Sequence, residues 1–86
     1  MAEVVIYSSL WCPFCQRAKA LLGKKGVKFT EIDVDTELGK RDEMVAKSGG
    51  RRTVPQIFIA GRHVGGCDEL YGLERERKLD VLLAGA

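Results

Sequence analysis

The sequence has few cysteines, and its pattern leads us to expect neither a secretory leader nor a membrane-spanning segment. Three cysteines among 86 residues are too few, and odd in number, for the disulfide framework of a small secreted protein. No apolar run approaches the roughly 18 residues of a transmembrane helix, and no basic segment precedes an apolar one at the beginning of the chain. We therefore expect a protein of the reducing cytoplasm with no membrane partner.

An excess of charge of one sign is also missing. Fourteen lysines and arginines are balanced by twelve aspartates and glutamates, which gives a formal net charge of +2. The basic residues are spread along the chain, whereas a nucleic-acid-binding surface needs them on one face. With 45% hydrophobic and 30% charged residues, the composition is that of an ordinary globular protein. We expect one domain over residues 1–86, a monomer, and no nucleic-acid partner.

The hydrophobic pattern predicts alternating strands and helices. Strands are predicted over residues 4–7, 28–34, 56–59 and 63–65, and helices over 13–22, over 36–47 with Thr36 as the cap, and over 68–83 with a break near Gly72. A helical connection makes the first two strands parallel, and we expect both to be central or nearly so. A turn at residues 60–62 pairs the last two strands antiparallel.

These elements predict an α/β fold with a four-stranded mixed β-sheet flanked by α-helices. The apolar residues of each helix recur at the spacing that places them on one face, which identifies them as core candidates. The predicted core residues of the helices are Ala18, Leu21, Leu22, Leu38, Met44, Val45, Leu70, Leu73, Leu79, Leu82 and Leu83.

Two cysteines, Cys12 and Cys15, lie at the junction of the first strand and the first helix. At a helix start, unpaired backbone N–H groups and the positive end of the helix dipole stabilise a thiolate, which makes Cys12 the candidate nucleophile. Pro13 suits the first helical position, because its φ is helical and its missing N–H has no partner there. Cys15 lies one turn deeper on the same face and can attack a mixed disulfide on Cys12.

Three motifs follow one another along the chain: Cys12-Pro13-Phe14-Cys15, then Thr53-Val54-Pro55, then Gly65-Gly66-Cys67-Asp68. In this order and spacing they resemble the dithiol glutaredoxins, and the resemblance covers essentially the whole chain. It implies a thioredoxin-like fold, a cis peptide bond before Pro55, and catalytic roles for Cys12 and Cys15. It also implies that glutathione is a cosubstrate and that no cofactor is tightly bound.

By the same resemblance, glutathione lies in a groove between the three motifs. The backbone of Val54 would pair with the cysteinyl part of glutathione, and Asp68 would face its amino group. The N–H groups at the start of the tail helix suit the γ-glutamyl carboxylate. The glutathione-binding residues implied in this way are Phe14, Arg41, Thr53, Val54, Pro55, Gly66, Cys67 and Asp68.

One position departs from the family pattern. A lysine commonly lies three residues before the first cysteine in the family, and this chain has Ser9 there. A positive charge that would help the thiolate and the glycyl carboxylate of glutathione is therefore missing. Arg41 matches a family position that contacts this carboxylate, and Arg52 is a second candidate.

A metal site is an alternative interpretation of the cysteines. Cys12 and Cys15 could bind zinc together with His63 and Cys67, and we expect no metal because a helix, and not a glycine turn, follows Cys15. The simpler interpretation makes His63 an ordinary strand residue and Cys67 a small residue at a tight helix start.

The leading functional hypothesis is a glutathione-dependent thiol–disulfide oxidoreductase that reduces protein disulfides and glutathione mixed disulfides. Its partners would be glutathione and disulfide-containing or glutathionylated proteins. The alternative is a carrier of a glutathione-ligated 2Fe–2S cluster, against which Pro13 argues, because cluster-binding family members more often have a small residue there. A thioredoxin-like reductant is a third possibility, and the motifs at Val54 and Asp68 favour glutathione over it.

Overall fold

The computed structural model describes residues 2–85, so the two terminal residues of the predicted domain lie outside the described range. Strands and helices follow one another as β1 (Val4–Ser8), α1 (Pro13–Lys24), β2 (Thr30–Asp33), α2 (Lys40–Lys47), β3 (Gln56–Ile59), β4 (Arg62–Gly65), α3 (Cys67–Arg75) and α4 (Leu79–Leu83). The sheet has the order β2-β1-β3-β4. β1 is parallel to β2 and antiparallel to β3, and β3 is antiparallel to β4. The predicted four-stranded mixed sheet is confirmed.

Each face of the sheet carries its own apolar core, because successive side chains of a strand point to opposite faces. Val4 and Ile6 of β1 belong to the larger core, which α1, α3 and α4 cover. Tyr7 belongs to the smaller core under α2, together with Val34, Met44 and Phe58. Full burial of a Val, Leu, Ile, Phe or Met side chain contributes about 1.5–3 kcal/mol, so the larger core supplies most of the apolar stabilisation.

The β3–β4 hairpin is confirmed, with a tighter turn than predicted. Ala60 and Gly61 both have positive φ, +53° and +78°, as a two-residue hairpin turn that follows the strand twist requires. Arg62 therefore already belongs to β4, one residue earlier than the sequence suggested.

The predicted central position of the second strand is wrong, because β2 lies at the edge of the sheet with β1 as its one neighbour. Thr30 and Glu31 are exposed. Two polar residues can face water on an edge strand without a burial cost, and this explains the imperfect hydrophobic alternation in this segment.

The second helix begins at Lys40, and the prediction that Thr36 caps it is wrong. The Asp33 carboxylate accepts the N–H groups of Asp35 (2.8 Å) and Thr36 (3.3 Å), which folds this segment into a turn. Gly39 then adopts φ +79° immediately before the helix. Leu38 lies in the turn and is fully exposed, so its predicted place in the core is wrong as well.

The tail is broken after Arg75 and not near Gly72, which lies inside α3. A glycine inside a helix costs only about 1 kcal/mol relative to alanine, and the burial of Leu70 offsets this cost. The break is made by Arg77, whose φ is +60°. This bend lets α4 return Leu79 and Leu83 to the core.

Candidate active site

Cys12 is the N-cap residue of α1, and Pro13 occupies the first helical position as predicted. The backbone N–H of Cys15 donates a hydrogen bond to Cys12 Sγ over 3.1 Å. The Cys12 thiol in turn donates to the carbonyl oxygen of Val54, 3.6 Å away. The sulfur thus lies between an N–H of the first helical turn, which has no carbonyl partner within the helix, and the backbone of the second motif. A negative charge on it is stabilised by the helix start.

Cys15 has the opposite environment, because it is completely buried at the base of the first turn. The pKa of the Cys15 thiol is raised to about 12, mainly by burial and in smaller part by the contact with Cys12. The backbone of Ser9 and the charge of Lys19 act in the other direction. Both cysteines are free thiols. The Cys15 thiol is therefore held in its neutral form at neutral pH.

A cleft of about 150 Å³ contains seven of the eight predicted glutathione-binding residues. Its walls come from α1, from the segment before β3 and from the start of α3, which the sheet brings together although they are up to 55 residues apart. The predicted cis peptide bond between Val54 and Pro55 is present. The residues that line the cleft are Phe14, Arg51, Thr53, Val54, Pro55, Gly66, Cys67, Asp68 and Glu69.

The third motif is fixed by a contact that the sequence analysis missed. Glu69 Oε1 accepts the backbone N–H of Gly66 over 2.6 Å and caps α3. Gly65 has φ +123°, and a Cβ there would lie 2.5 Å from the same carboxylate oxygen, so glycine is required. A Gly followed by Glu three residues later, at a helix start, is the signal that reveals this contact. The Gly66 N–H is thus already occupied.

Arg41 lies outside this cleft, in a neighbouring depression of about 210 Å³ formed by the turn before α2. Its guanidinium pairs with Asp35 (2.8 Å) and donates to the carbonyl oxygen of Arg52 (3.2 Å). Ser9, at the position of the missing lysine, donates its hydroxyl hydrogen to the same Asp35 carboxylate. These contacts, from Ser9 first and Arg41 second, lower the pKa of Asp35. The glutathione-binding role of Arg41 stays a prediction.

Arg51 supplies the positive charge inside the cleft. Its guanidinium lies 3.3 Å from Glu69 Oε1, the oxygen that also accepts the Gly66 N–H. These contacts lower the pKa of Glu69, and the Gly66 hydrogen bond is the largest cause. Arg51 is therefore a third candidate for the glycyl carboxylate contact, beside Arg41 and Arg52.

The remaining surroundings of Cys12 are apolar and exposed. Trp11 is 88% exposed and Phe14 is 53% exposed, and the Arg17 guanidinium lies 5.8 Å from the centre of the Phe14 ring.

Cys67, the first residue of α3, is buried. Burial raises the pKa of its thiol, and the Asp68 carboxylate adds to the effect.

Within residues 2–85, no group of three or more His, Cys, Asp or Glu side chains is arranged to hold a metal ion. His63, one of the four residues of the zinc alternative, is hydrogen-bonded to Gln56. None of the helices in the same range is long and apolar enough to cross a membrane.

The model of the family described as glutaredoxin matches residues 4–64 of the chain. The chain belongs to the glutaredoxin family. It is 55% identical over 83 residues to Glutaredoxin 3 of Escherichia coli strain K12, in an alignment that covers 96% of this chain and 99% of that protein. It is also 55% identical over 84 residues to a glutaredoxin of Pseudomonas aeruginosa, with 98% of this chain and 99% of that protein covered.

Solved structures agree with this family assignment. A crystal structure of a buckwheat glutaredoxin–glutathione complex superposes with a TM-score of 0.89 at 33% identity, covering 98% of this chain and 78% of that one. The solution structure of a Brucella melitensis glutaredoxin gives a TM-score of 0.84 at 57% identity, covering 96% of this chain and 89% of that one. The thioredoxin-like fold is confirmed. The adjacent Cys12 and Cys15 fit the redox-active centre of a thiol–disulfide oxidoreductase.

Proposed function

We propose that the chain is a glutathione-dependent thiol–disulfide oxidoreductase that reduces protein disulfides and glutathione mixed disulfides. One observation carries the proposal. Cys12 Sγ contacts the Val54 carbonyl at 3.6 Å, so the nucleophile lies at the border of the cleft that the other two motifs line. A disulfide sulfur of a ligand seated in this cleft is within reach of Cys12.

In the first step, the Cys12 thiolate attacks the glutathionyl sulfur of a mixed disulfide. The Cys12–glutathione bond forms, the sulfur–sulfur bond to the substrate protein breaks, and the protein leaves as a thiolate that takes up a proton. A second glutathione thiolate then attacks the glutathionyl sulfur on Cys12. Oxidised glutathione leaves, and the Cys12 thiolate is restored, stabilised by the Cys15 N–H at 3.1 Å.

Protein disulfides require Cys15 as well. After Cys12 has formed a mixed disulfide with the substrate, the Cys15 sulfur attacks Cys12 Sγ and closes the intramolecular disulfide. The substrate leaves as a dithiol, and glutathione reduces the pair again. The buried thiol with a pKa of about 12 is a weak nucleophile while it is protonated, so this step depends on its losing its proton next to the reacting sulfurs.

The roles proposed for the cleft follow its chemistry. The Val54 backbone pairs with the cysteinyl part of glutathione, and Asp68 receives its amino group. The Gly66 N–H is taken by Glu69, so the γ-glutamyl carboxylate would use the next N–H groups of α3, those of Cys67 and Asp68. Thr53, Pro55 and Phe14 form the walls. The buckwheat glutaredoxin is in complex with glutathione, which supports glutathione as a cosubstrate here.

The proposed compartment is the cytoplasm, because the cycle needs a pool of reduced glutathione to return Cys12 and Cys15 to thiols. The proposed partners are glutathione and proteins that carry disulfides or glutathione mixed disulfides. No resident cofactor takes part in the cycle.

The test is turnover of a glutathionylated peptide by the purified chain, coupled to glutathione reductase and NADPH. We expect NADPH oxidation that requires both glutathione and the chain. Turnover of protein disulfides with a flavoprotein thiol reductase, but none of the mixed disulfide with glutathione, would instead identify a thioredoxin-like reductant. Absorption bands of an iron–sulfur cluster in protein purified with glutathione would favour the cluster-carrier alternative, to which no contact in the cleft points.

A further inference from the structure

A chain of hydrogen bonds runs from the edge strand of the sheet to the cleft. Gln56, the first residue of β3, is completely buried. Its side-chain amide donates to the Thr53 carbonyl over 3.0 Å and contacts the Thr53 hydroxyl oxygen at 3.2 Å. On its other side, Gln56 Oε1 lies 2.7 Å from Nε2 of His63, an exposed residue of β4. The three residues therefore form one connected network.

The direction of every hydrogen in this network follows from the Thr53 carbonyl, which can only accept. The Gln56 amide nitrogen must face it, so the amide oxygen faces His63, and His63 Nε2 must carry a hydrogen. Both the neutral Nε2–H tautomer and the imidazolium satisfy this requirement. The Phe58 ring lies beside the imidazole, with 5.1 Å between ring centres and 39° between the ring planes.

The network also fixes the polarity of the Thr53 hydroxyl. Its oxygen accepts from the Gln56 amide, so its own hydrogen remains available for another acceptor. Thr53 lines the cleft. A series of donors, from imidazole to amide to hydroxyl, thus ends at the ligand side, and hydrogen bonds in such a chain polarise one another.

We propose that His63 and Gln56 are positioning residues, which orient the Thr53 hydroxyl as a donor to an oxygen acceptor, a carboxylate or carbonyl, of the glutathione in the cleft. The inference rests on the proposed function. His63 touches neither Cys12 nor the cleft, so its effect acts on ligand affinity and leaves the chemistry at Cys12 unchanged. A merely structural role, in which His63 only joins β4 to β3, would change stability without coupling to Thr53.

The test is a double-mutant cycle on the apparent glutathione KM in the coupled assay. His63→Ala and Thr53→Val should each raise KM by about threefold to tenfold, the worth of one neutral hydrogen bond, with little change in kcat. The apparent KM of the double variant should not exceed that of Thr53→Val alone, because Thr53→Val already removes the hydroxyl through which His63 would act. His63→Gln, whose amide nitrogen lies as far along the side chain as Nε2 of the imidazole and keeps a donor there, should recover most of the loss.

Arg62→Ala is the matched control. Arg62 precedes His63 on the same strand, and within residues 2–85 its side chain forms no hydrogen bond or ion pair. It should leave KM unchanged and be additive with Thr53→Val. Additive effects of His63→Ala and Thr53→Val, or an unchanged KM in His63→Ala, would overturn the proposal.

A measurement on the unmodified chain keeps the inference testable if a variant fails to fold. Nitrogen-15 NMR of the imidazole should show a hydrogen on Nε2 at every pH at which the chain is folded. A neutral Nδ1–H tautomer would contradict the network. If the unmodified chain shows no glutathione-dependent turnover, the proposed function is wrong. The NMR measurement then still decides the directions of the hydrogen bonds in the network.

Discussion

Cys12 and Cys15 are three residues apart, at the two ends of the first turn of α1, and their surroundings differ in almost every respect. Cys12 caps the helix, receives an N–H and borders the cleft. Cys15 is completely buried and its thiol pKa is raised to about 12. Both residues have the same chemistry, so the difference arises from position alone. One turn of helix separates a sulfur at the border of the cleft from a sulfur that is completely buried.

Under the proposed function, this contrast would allow one two-cysteine motif to perform two reactions. A mixed disulfide with glutathione needs one accessible sulfur, because a second glutathione from solution completes the cycle. A protein disulfide needs the inner sulfur too, since the substrate blocks access from solution. Substitutions at the two positions should therefore separate the two activities.

The largest expected effect is that of Cys12→Ser. Loss of the accessible nucleophile should reduce both activities by at least about a thousandfold, since a hydroxyl at this position is not ionised at neutral pH. The measurement is turnover of a glutathionylated peptide and, separately, of a protein disulfide. Cys67→Ser is the matched control: it removes a thiol that lines the cleft but keeps the backbone N–H, the group proposed to contact glutathione, so it should retain activity. Substantial activity in Cys12→Ser would show that Cys12 is not the nucleophile.

Cys15→Ser should split the two assays. Turnover of the glutathionylated peptide should stay within about threefold of the unmodified chain, whereas reduction of a protein disulfide should fall by about a hundredfold. Mass spectrometry should then detect the trapped Cys12 mixed disulfide with the protein substrate. Equal losses in both assays would mean that Cys15 supports the thiolate of Cys12 and does not resolve the intermediate.

The buried thiol should also influence stability at alkaline pH. The folded-state pKa of Cys15 is raised from 9.0 to about 12, so between these values the unfolded chain loses a proton that the folded chain keeps. Stability therefore falls as pH rises, by at most about 1.4 kcal/mol per pH unit from this group. Denaturant titrations of the reduced protein between pH 8 and 11 should show a shallower fall for Cys15→Ser. Parallel curves would show that Cys15 is not held neutral.

The smallest effect concerns two arginines, Arg51 in the cleft and Arg41 outside it. Arg51 lines the cleft, while Arg41 is paired with Asp35 and the Arg52 carbonyl outside it. Because partly exposed charge pairs contribute about 1 kcal/mol or less, Arg51→Ala should raise the apparent glutathione KM about two- to fivefold and Arg41→Ala less than about twofold. Both shifts should shrink at high salt. A larger effect of Arg41→Ala than of Arg51→Ala would favour Arg41, as the family resemblance implies, as the residue that contacts the glycyl carboxylate.

Most of the fold could be predicted from local signals. The spacing of apolar residues gave the strands and helices, and the chain order of strand, helix and strand made β1 and β2 parallel. The predicted helix boundaries were wrong at residues whose chemistry suits two different local structures. Thr36 has the chemistry of a helix cap, but the Asp33 carboxylate takes the local N–H groups first. Gly72 can end a helix, but the burial of Leu70 keeps it helical.

That the candidate site residues lie together could be predicted for the same reason, while their roles in binding stay predictions. Seven glutathione-binding candidates line one cleft, because each motif begins or ends an element whose place in the sheet is fixed by the strand order. Contacts between distant side chains could not be predicted, since nothing local specifies them. The pairing of Arg51 with Glu69 and of Arg41 with Asp35 depends on how α2 and α3 lie relative to the sheet.

The sequence by itself determined the reactive group and its chemical class. Two cysteines at the start of a helix, with proline at the first helical position, indicate a thiol–disulfide centre. The helix-end electrostatics that stabilise a thiolate there act over only a few residues. Tertiary structure alone decided the rest. It buried Cys15, brought Val54 to Cys12 across 42 residues, and connected His63 through Gln56 to Thr53. Burial and long-range hydrogen bonds exist only once the sheet has assembled, because the groups that make them lie on separate elements.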